Sequence, residues 1–250
     1  MIERLLADVH RARARTVANG RPFVTLAYAQ SVDGSIALEP GRPCKLSGKE
    51  SLQVTHALRA VHDGLLVGIG TVLADDPQLT VRLVSGRSPQ PVVVDSKLRT
   101  PDKARFIQGG RRVSWIATTE GADDKRQKRL EARGARVLRF PPWINGWVDL
   151  PALLRTLAAQ GIAHLMVEGG AKIITSFLRA SLVDYAVITV APCLMGGMSA
   201  LGALEHGSAP RLGTWGAHRV GEDLVLSGEL RWQAAASETD GRDPLRVPGA

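Results

Sequence analysis

A chain of 250 residues, 44% of them hydrophobic and with a formal net charge of +8, is long enough to bury a substantial core and is expected to form one large domain with modest appendages. No run of eighteen apolar residues occurs, and the first segment, MIERLLADVHRARART, mixes acids with arginines; a membrane helix and a secretory leader are therefore not expected, and a cytoplasmic location is. Cys44 and Cys193 lie far apart and outside any CxxC pair, and six histidines show neither HxH nor HExxH spacing, which sets aside a disulfide framework and predicts no metal.

Ile2, Leu5, Leu6 and Val9 share one helical face, predicting an N-terminal helical arm within residues 1–20 that packs on the body or on a partner subunit. The main domain is expected over residues 21–235. Arg21 and Pro22 open a buried strand at 23–30, and Ser31 to Gly34 form a turn in which glycine supplies a positive φ. Ser47 and Glu50 have capping-box spacing, predicting a helix that carries His56 and Arg59 and runs to about His62. Strands are expected in LLVGIG, in VVVDS at 92–96, in VSWIATT at 113–119 and in ARVLRF at 135–140, alternating with helical segments. Helix 149–160, strand 163–168, helix 171–180 and strand 184–191 continue the rhythm, which predicts a mainly parallel mixed sheet with helices on both faces. HRVGEDLVLSGELRW then suggests an antiparallel C-terminal edge, and the polar, Pro/Gly-rich residues 236–250 a loose tail.

Three segments carry candidate chemistry. In HLMVEGGAKIITSFL an apolar strand ends on Glu168, followed by Gly169, Gly170 and an immediate helix; the glycines let a ligand approach the backbone, and the free amides of the helix start suit a pyrophosphate. Neither a Walker A loop nor a GxGxxG fingerprint is present, and a strand-Gly-Gly-helix unit also serves as an ordinary tight turn. Between Leu58 and Arg82, Thr71 and Asp75 sit on a short helical turn flanked by Arg59 and Arg82; the guanidiniums suit a phosphate and the carboxylate suits sugar or amide donors. Equally, Asp75 could cap the turn before Pro77 and the arginines could be solvated. Just beyond a strand end, Ser96, Lys97 and Arg99 offer donors to a 2′-phosphate, or form an ordinary basic loop. The basic runs Arg11 to Arg15 and Lys125 to Arg136 lie on helical patterns without interleaved aromatics, so focused phosphate binding is expected in preference to nucleic acid.

Taken together, SVDG at 31–34, LRAVHDGLLVGIGTVLADDPQLTVR, VVVDSKLRTP and VEGGAKI resemble the reductase domain of riboflavin biosynthesis, the dihydrofolate-reductase-like pyrimidine reductases, over residues 21–200. The resemblance implies a three-layer α/β fold and NADPH as cofactor, contacted by Thr71, Asp75, Ser96, Lys97, Leu98, Arg99 and the run Gly170, Ala171, Lys172, Ile173, Ile174, Thr175 and Ser176. It also implies a phosphorylated ribosyl-pyrimidine substrate held by Arg59, Leu79, Arg82 and Glu168, with hydride passing to the ribosyl C1′. No catalytic residue is singled out; Asp75 and Glu168 are the candidates for assisting proton movement. A homodimer is implied, with VDYAVITVAPCLMGG at 183–197 read as an interface strand.

Two departures matter. The deaminase half with which this domain is commonly fused in bacteria is absent from the sequence, so one of the two pathway steps is expected here. The loop that in the family reads G-x-S-x-W or G-x-S-x-I is Gly41-Arg42-Pro43-Cys44-Lys45, in which Pro43 offers no side-chain hydrogen bond and Arg42 or Lys45 could serve the phosphate instead. The expected activity is 5-amino-6-(5-phosphoribosylamino)uracil reductase or its diamino-pyrimidinone counterpart. The alternatives are a same-fold reductase of another pterin-like or ribosylated heterocycle, and a non-enzymatic nucleotide or nucleic-acid binder.

Overall fold

The structure, a computed structural model, describes residues 1–15, 19–42, 44–109, 112–204 and 209–232. Pro43 and the expected tail at 236–250 lie outside the described residues. The elements run α1 (Ile2–Arg15), β1 (Phe23–Ser31), β2 (Ser35–Ala37), α2 (Lys49–Ala60), β3 (Gly64–Gly68), α3 (Ile69–Asp75), β4 (Gln90–Val94), α4 (Arg105–Gln108), β5 (Ser114–Thr119), α5 (Asp124–Ala132) and β6 (Ala135–Phe140). They continue with α6 (Leu150–Ala159), β7 (His164–Val167), α7 (Ala171–Arg179), β8 (Tyr185–Ala191), β9 (Met198–Ser199), β10 (Arg211–Val220) and β11 (Asp223–Arg231).

Nine strands make one sheet in the order β10-β11-β8-β1-β7-β3-β4-β5-β6. From β8 to β6 every neighbour is parallel, while β11 and β10 close one side antiparallel. Strands β3 and β4 are buried along their whole length, as parallel strands covered on both faces must be. Their side chains alternate between two cores: Leu65 and Val67 face a cluster with Leu5, Val54, Leu58 and Leu130, whereas Leu66 faces Leu153, Leu157, Ile174 and Phe177. Helices α1, α2 and α5 thus cover one face and α6 and α7 the other, the three-layer arrangement expected.

The arm belongs to the body. Leu5 and Val9 are fully buried, and α1 packs on α2 and β11. Helix α6 begins at Asp149, whose carboxylate accepts the Ala152 amide at 2.8 Å, and α5 begins at Asp123, which accepts from Lys125 and Arg126. One expectation needs correction. Helix α2 starts not in a Ser47/Glu50 capping box but at Gly48, which has no side-chain cap; its amide is satisfied by Asp223 Oδ2 at 2.9 Å, a contact only the tertiary fold provides. Strand β8 is hydrogen-bonded on both sides, to β1 and β11, so its apolar residues serve the middle of the sheet.

Candidate active site

The parallel strands share one carboxyl edge, where open α/β sheets bind ligands. There β7 passes into Glu168, whose amide still extends the ladder to Leu66 O at 2.9 Å, and then into Gly169, Gly170 and α7. The first amides satisfied inside α7 are those of Ile173 and Ile174, both to Gly170 O, so the amides of Gly170, Ala171 and Lys172 face out of the helix start. Glycine is required at the turn: a Cβ on Gly169 would lie 2.6 Å from Ile173 Cγ2, and one on Gly68 would lie 2.5 Å from Ile173 Cγ1. At Gly170 the same position is open, its nearest neighbour being Thr71 Oγ1 at 3.7 Å. Gly170 and Thr71 therefore flank one recess, with Asp75 one turn further along α3.

Asp75 is solvent-exposed by area, yet the atoms crowded around it desolvate its carboxylate enough to raise its pKa. The next residue, Asp76, ends α3 in a left-handed conformation and accepts the Arg105 amide at 2.8 Å. Two residues past the end of the adjoining β4, Ser96 ties two other segments together: its Oγ accepts the Val148 amide at 3.2 Å and its carbonyl accepts Thr119 Oγ1, at the end of β5, at 2.8 Å. Lys97 and Arg99 are exposed, whereas Leu98 is buried with φ 49°, so its main chain is what it can present. Within the run 170–176, Ile174 and Thr175 are buried. The Thr175 hydroxyl donates to Ala171 O and accepts from Gly202, and that of Ser176 donates to Lys172 O; the start of the run is thus its most available part.

The expected substrate residues gather on the other side of Glu168. Arg59 Nε and Nη2 hold the two Glu168 oxygens at 2.6 and 2.5 Å, a bidentate pair with both side chains largely covered. Burial opposes the charge on Arg59, but Glu168 outweighs it and raises the arginine's pKa. Its third donor, Nη1, reaches Thr80 O at 3.1 Å. Arg82 behaves differently: it is exposed, donates from Nη1 to Thr80 Oγ1 at 3.1 Å, and has its pKa lowered by partial burial and by Arg59 and Arg105 nearby. Leu79 is buried with φ 54°, leaving its main chain to face a ligand. With Arg59 spent on Glu168 and the exposed Arg82 within reach of the fields of Arg59 and Arg105, this is the part of the edge best suited to an anion.

Sequence reading missed two participants. His56 is buried and its Nδ1 accepts the Arg82 amide at 2.9 Å; the signal available was its place three residues before Arg59, on one helix face. Asp33 accepts from Ser31 Oγ, Ser35 Oγ and the amides of Met195 and Gly196, tying the loop after β1 to the strap after β8. These bonds, led by that from Ser31, hold its carboxyl well below the usual range. Further along the edge a cavity of about 660 Å³ is lined by Lys45, Lys49, Glu50, Cys193 and Asp223. Arg82, Thr71, Asp75, Ser96 and Gly170 do not line it, so it is not the recess beside Gly170. In the basic run on α5, Arg126 is engaged internally, donating to the carbonyls of Leu98 and Thr100.

The family model described as the RibD C-terminal domain matches residues 22–226. The 2,5-diamino-6-ribosylamino-4(3H)-pyrimidinone 5′-phosphate reductase of Methanothermobacter thermautotrophicus is 38% identical over 215 residues, taking in 82% of this chain and 97% of that protein. The riboflavin biosynthesis protein RibD of Aquifex aeolicus is 33% identical over 214 residues, which are 84% of this chain and 58% of that protein; the chain thus spans little more than half of that relative. Among solved structures, the Saccharomyces cerevisiae riboflavin biosynthesis reductase Rib7 is similar with a TM-score of 0.73 and 28% identity, covering 92% of this chain and 99% of that one. Matched by the family model over most of its length, and by a relative taken in almost end to end, the chain belongs to the RibD C-terminal domain family.

Proposed function

We propose that this protein is an NADPH-dependent reductase of 2,5-diamino-6-ribosylamino-4(3H)-pyrimidinone 5′-phosphate, or of the corresponding 5-amino-6-(5-phosphoribosylamino)uracil. The observation that carries the reading is the division of one sheet edge: a glycine-lined helix start beside Thr71 follows directly on Glu168, which Arg59 grips, with the exposed Arg82 on the far side. The helix start suits a dinucleotide's pyrophosphate and Arg82 a sugar phosphate. The name of the Methanothermobacter relative supplies the pyrimidine.

The residues fit NADPH. The outward amides of Gly170, Ala171 and Lys172 take the pyrophosphate, Thr71 and Asp75 the adjoining sugar and amide groups, and Ser96 with Lys97 and Arg99 the 2′-phosphate, through a hydroxyl and two exposed cations. When bound, the cofactor supplies hydride from its nicotinamide C4 to the ribosyl C1′; the C1′–ring-oxygen bond breaks and that oxygen takes a proton, leaving a ribityl chain. Arg82 holds the 5-phosphate. Glu168, gripped by Arg59, accepts from substrate donors, and Arg59 keeps its remaining N–H groups for the substrate. Asp75, the acid with a raised pKa, is the better placed of the two to carry the proton.

The test is to follow NADPH oxidation with each of the two pyrimidine phosphates, and with NADH in place of NADPH. Turnover with one pyrimidine and a strong preference for NADPH is expected; no turnover with either would refute the assignment. One observation favours a second reading, a related ribosyl heterocycle as substrate: Lys45 lines the cavity of about 660 Å³ together with Lys49. A homodimer in the cytoplasm completes the proposal. Light scattering at twice the protomer mass is the expected result; among the described residues no helix is long and apolar enough to cross a membrane.

A further inference from the structure

His56 stands on α2 one turn before Arg59, is 3% exposed, and accepts the Arg82 backbone amide through Nδ1 at 2.9 Å. Arg59 Nη1 holds Thr80 O, and Arg82 Nη1 folds back onto Thr80 Oγ1, both at 3.1 Å. The segment 79–82, which opens on a left-handed Leu79, is therefore fastened to α2 by two side chains three residues apart. An imidazole that accepts at Nδ1 must carry its proton on Nε2, because the doubly protonated ring has no lone pair to offer. The surroundings keep it in that form: burial and the guanidiniums of Arg59 and Arg82 lower its pKa to about 4 against a weaker opposing pull from Glu168.

We propose that His56 is a positioning residue for the substrate anion: its Nδ1 lone pair fixes the main chain of Arg82, and so the place at which the Arg82 guanidinium meets the phosphate. This rests on the reading that Arg82 binds the substrate phosphate. A histidine that merely filled the core would depend on its volume and would not distinguish the δ position from the ε position.

The experiment compares His56→Asn, His56→Gln and His56→Leu with Arg82→Ala, measuring kcat and KM for the phosphorylated pyrimidine and for NADPH. Asparagine places a carbonyl oxygen where Nδ1 stands and glutamine cannot, although glutamine is the better helix former. Loss of the acceptor is expected to raise KM for the pyrimidine about tenfold in the Gln and Leu variants, with KM for NADPH little changed and kcat falling less than KM rises. His56→Asn should recover most of the loss. Parallel rises in both KM values, or rescue by Gln in place of Asn, would overturn the proposal. Should the Leu variant fail to fold, the Asn and Gln pair still decides. If Arg82→Ala raises the pyrimidine KM while all three His56 variants behave as wild type, only the role of His56 falls. If Arg82→Ala itself leaves that KM unchanged, the phosphate reading falls and takes this proposal with it.

Discussion

Two walls meet at Glu168, and they are built differently. The wall formed by α2 and residues 79–82 is made of side chains: Arg59, Glu168, His56 and Arg82 hold one another across 109 and 26 positions of sequence. The wall formed by β3, α3 and the β7–α7 turn is made of backbone, shaped by what is missing at Gly68, Gly169 and Gly170. The charged wall takes its position from paired groups that would be costly to leave unpaired, and the glycine wall from close packing around one branched side chain, Ile173. Damage to the first should therefore act through electrostatics and be mended by removing the partner, whereas damage to the second should act through volume and be mended by making room.

The largest effect expected is that of Glu168→Ala, which leaves the Arg59 guanidinium buried without its counter-ion and should lower unfolding stability by about 3 to 5 kcal/mol in urea titrations. Adding Arg59→Met should restore much of that stability without restoring reductase activity; no recovery in the double variant would show that the pair is not energetically coupled. Next, Gly169→Ala forces a methyl against Ile173 and should cost about 1 to 3 kcal/mol, with weaker NADPH binding. Ile173→Ala in the same chain should relieve it, and additive losses would contradict the steric account.

Smaller still, Arg82→Ala should raise KM for the phosphorylated pyrimidine by about tenfold or more while sparing NADPH, as expected for loss of a charged hydrogen bond. Equal effects on both ligands would remove its proposed role. Acid should then loosen the charged wall's support. His56 and His62 are neutral in the fold, with pKa values lowered to about 4 and about 3, chiefly by burial, and the Nδ1 of His62 donates to Leu58 O at 2.6 Å. Because the unfolded chain protonates both near the ordinary value of about 6.5, their contribution is complete above that pH and is lost as pH falls towards 4 and 3. Each proton corresponds to about 1.4 kcal/mol per pH unit in that window, to be checked by denaturation midpoints at pH 7, 6 and 5; a flat profile would contradict neutral histidines. The smallest change in binding is that of Asp75→Ala, expected to weaken NADPH by about threefold to tenfold while the pyrimidine KM holds, with kcat falling as well because Asp75 is the proposed proton carrier.

The glycine wall was readable in the sequence because its logic is local. An apolar run, an acid, two glycines and a helix lie within one short segment, and the strand-helix alternation placed that segment at a sheet edge. The charged wall was readable only as a set of residues. Arg59 and Arg82 looked equivalent as phosphate ligands, but folding gave Arg59 to Glu168 and left Arg82 exposed. The start of α2 failed for the same reason: Ser47 and Glu50 have the right spacing, yet Asp223, 175 positions away, satisfies the Gly48 amide. The place of β8 in mid-sheet was not legible either, because an apolar strand in mid-sheet and one at an interface have the same composition.

From its sequence this protein had its layers, its mainly parallel sheet with an antiparallel edge and its glycine turn at a strand end, since hydrophobic periodicity and glycine placement act between near neighbours and leave a local trace. The fold alone decided which arginine is paired, which is open, and what holds the open one. Those outcomes depend on desolvation and on contacts between distant segments, and a charged side chain carries no mark in the sequence of the partner that will neutralise it.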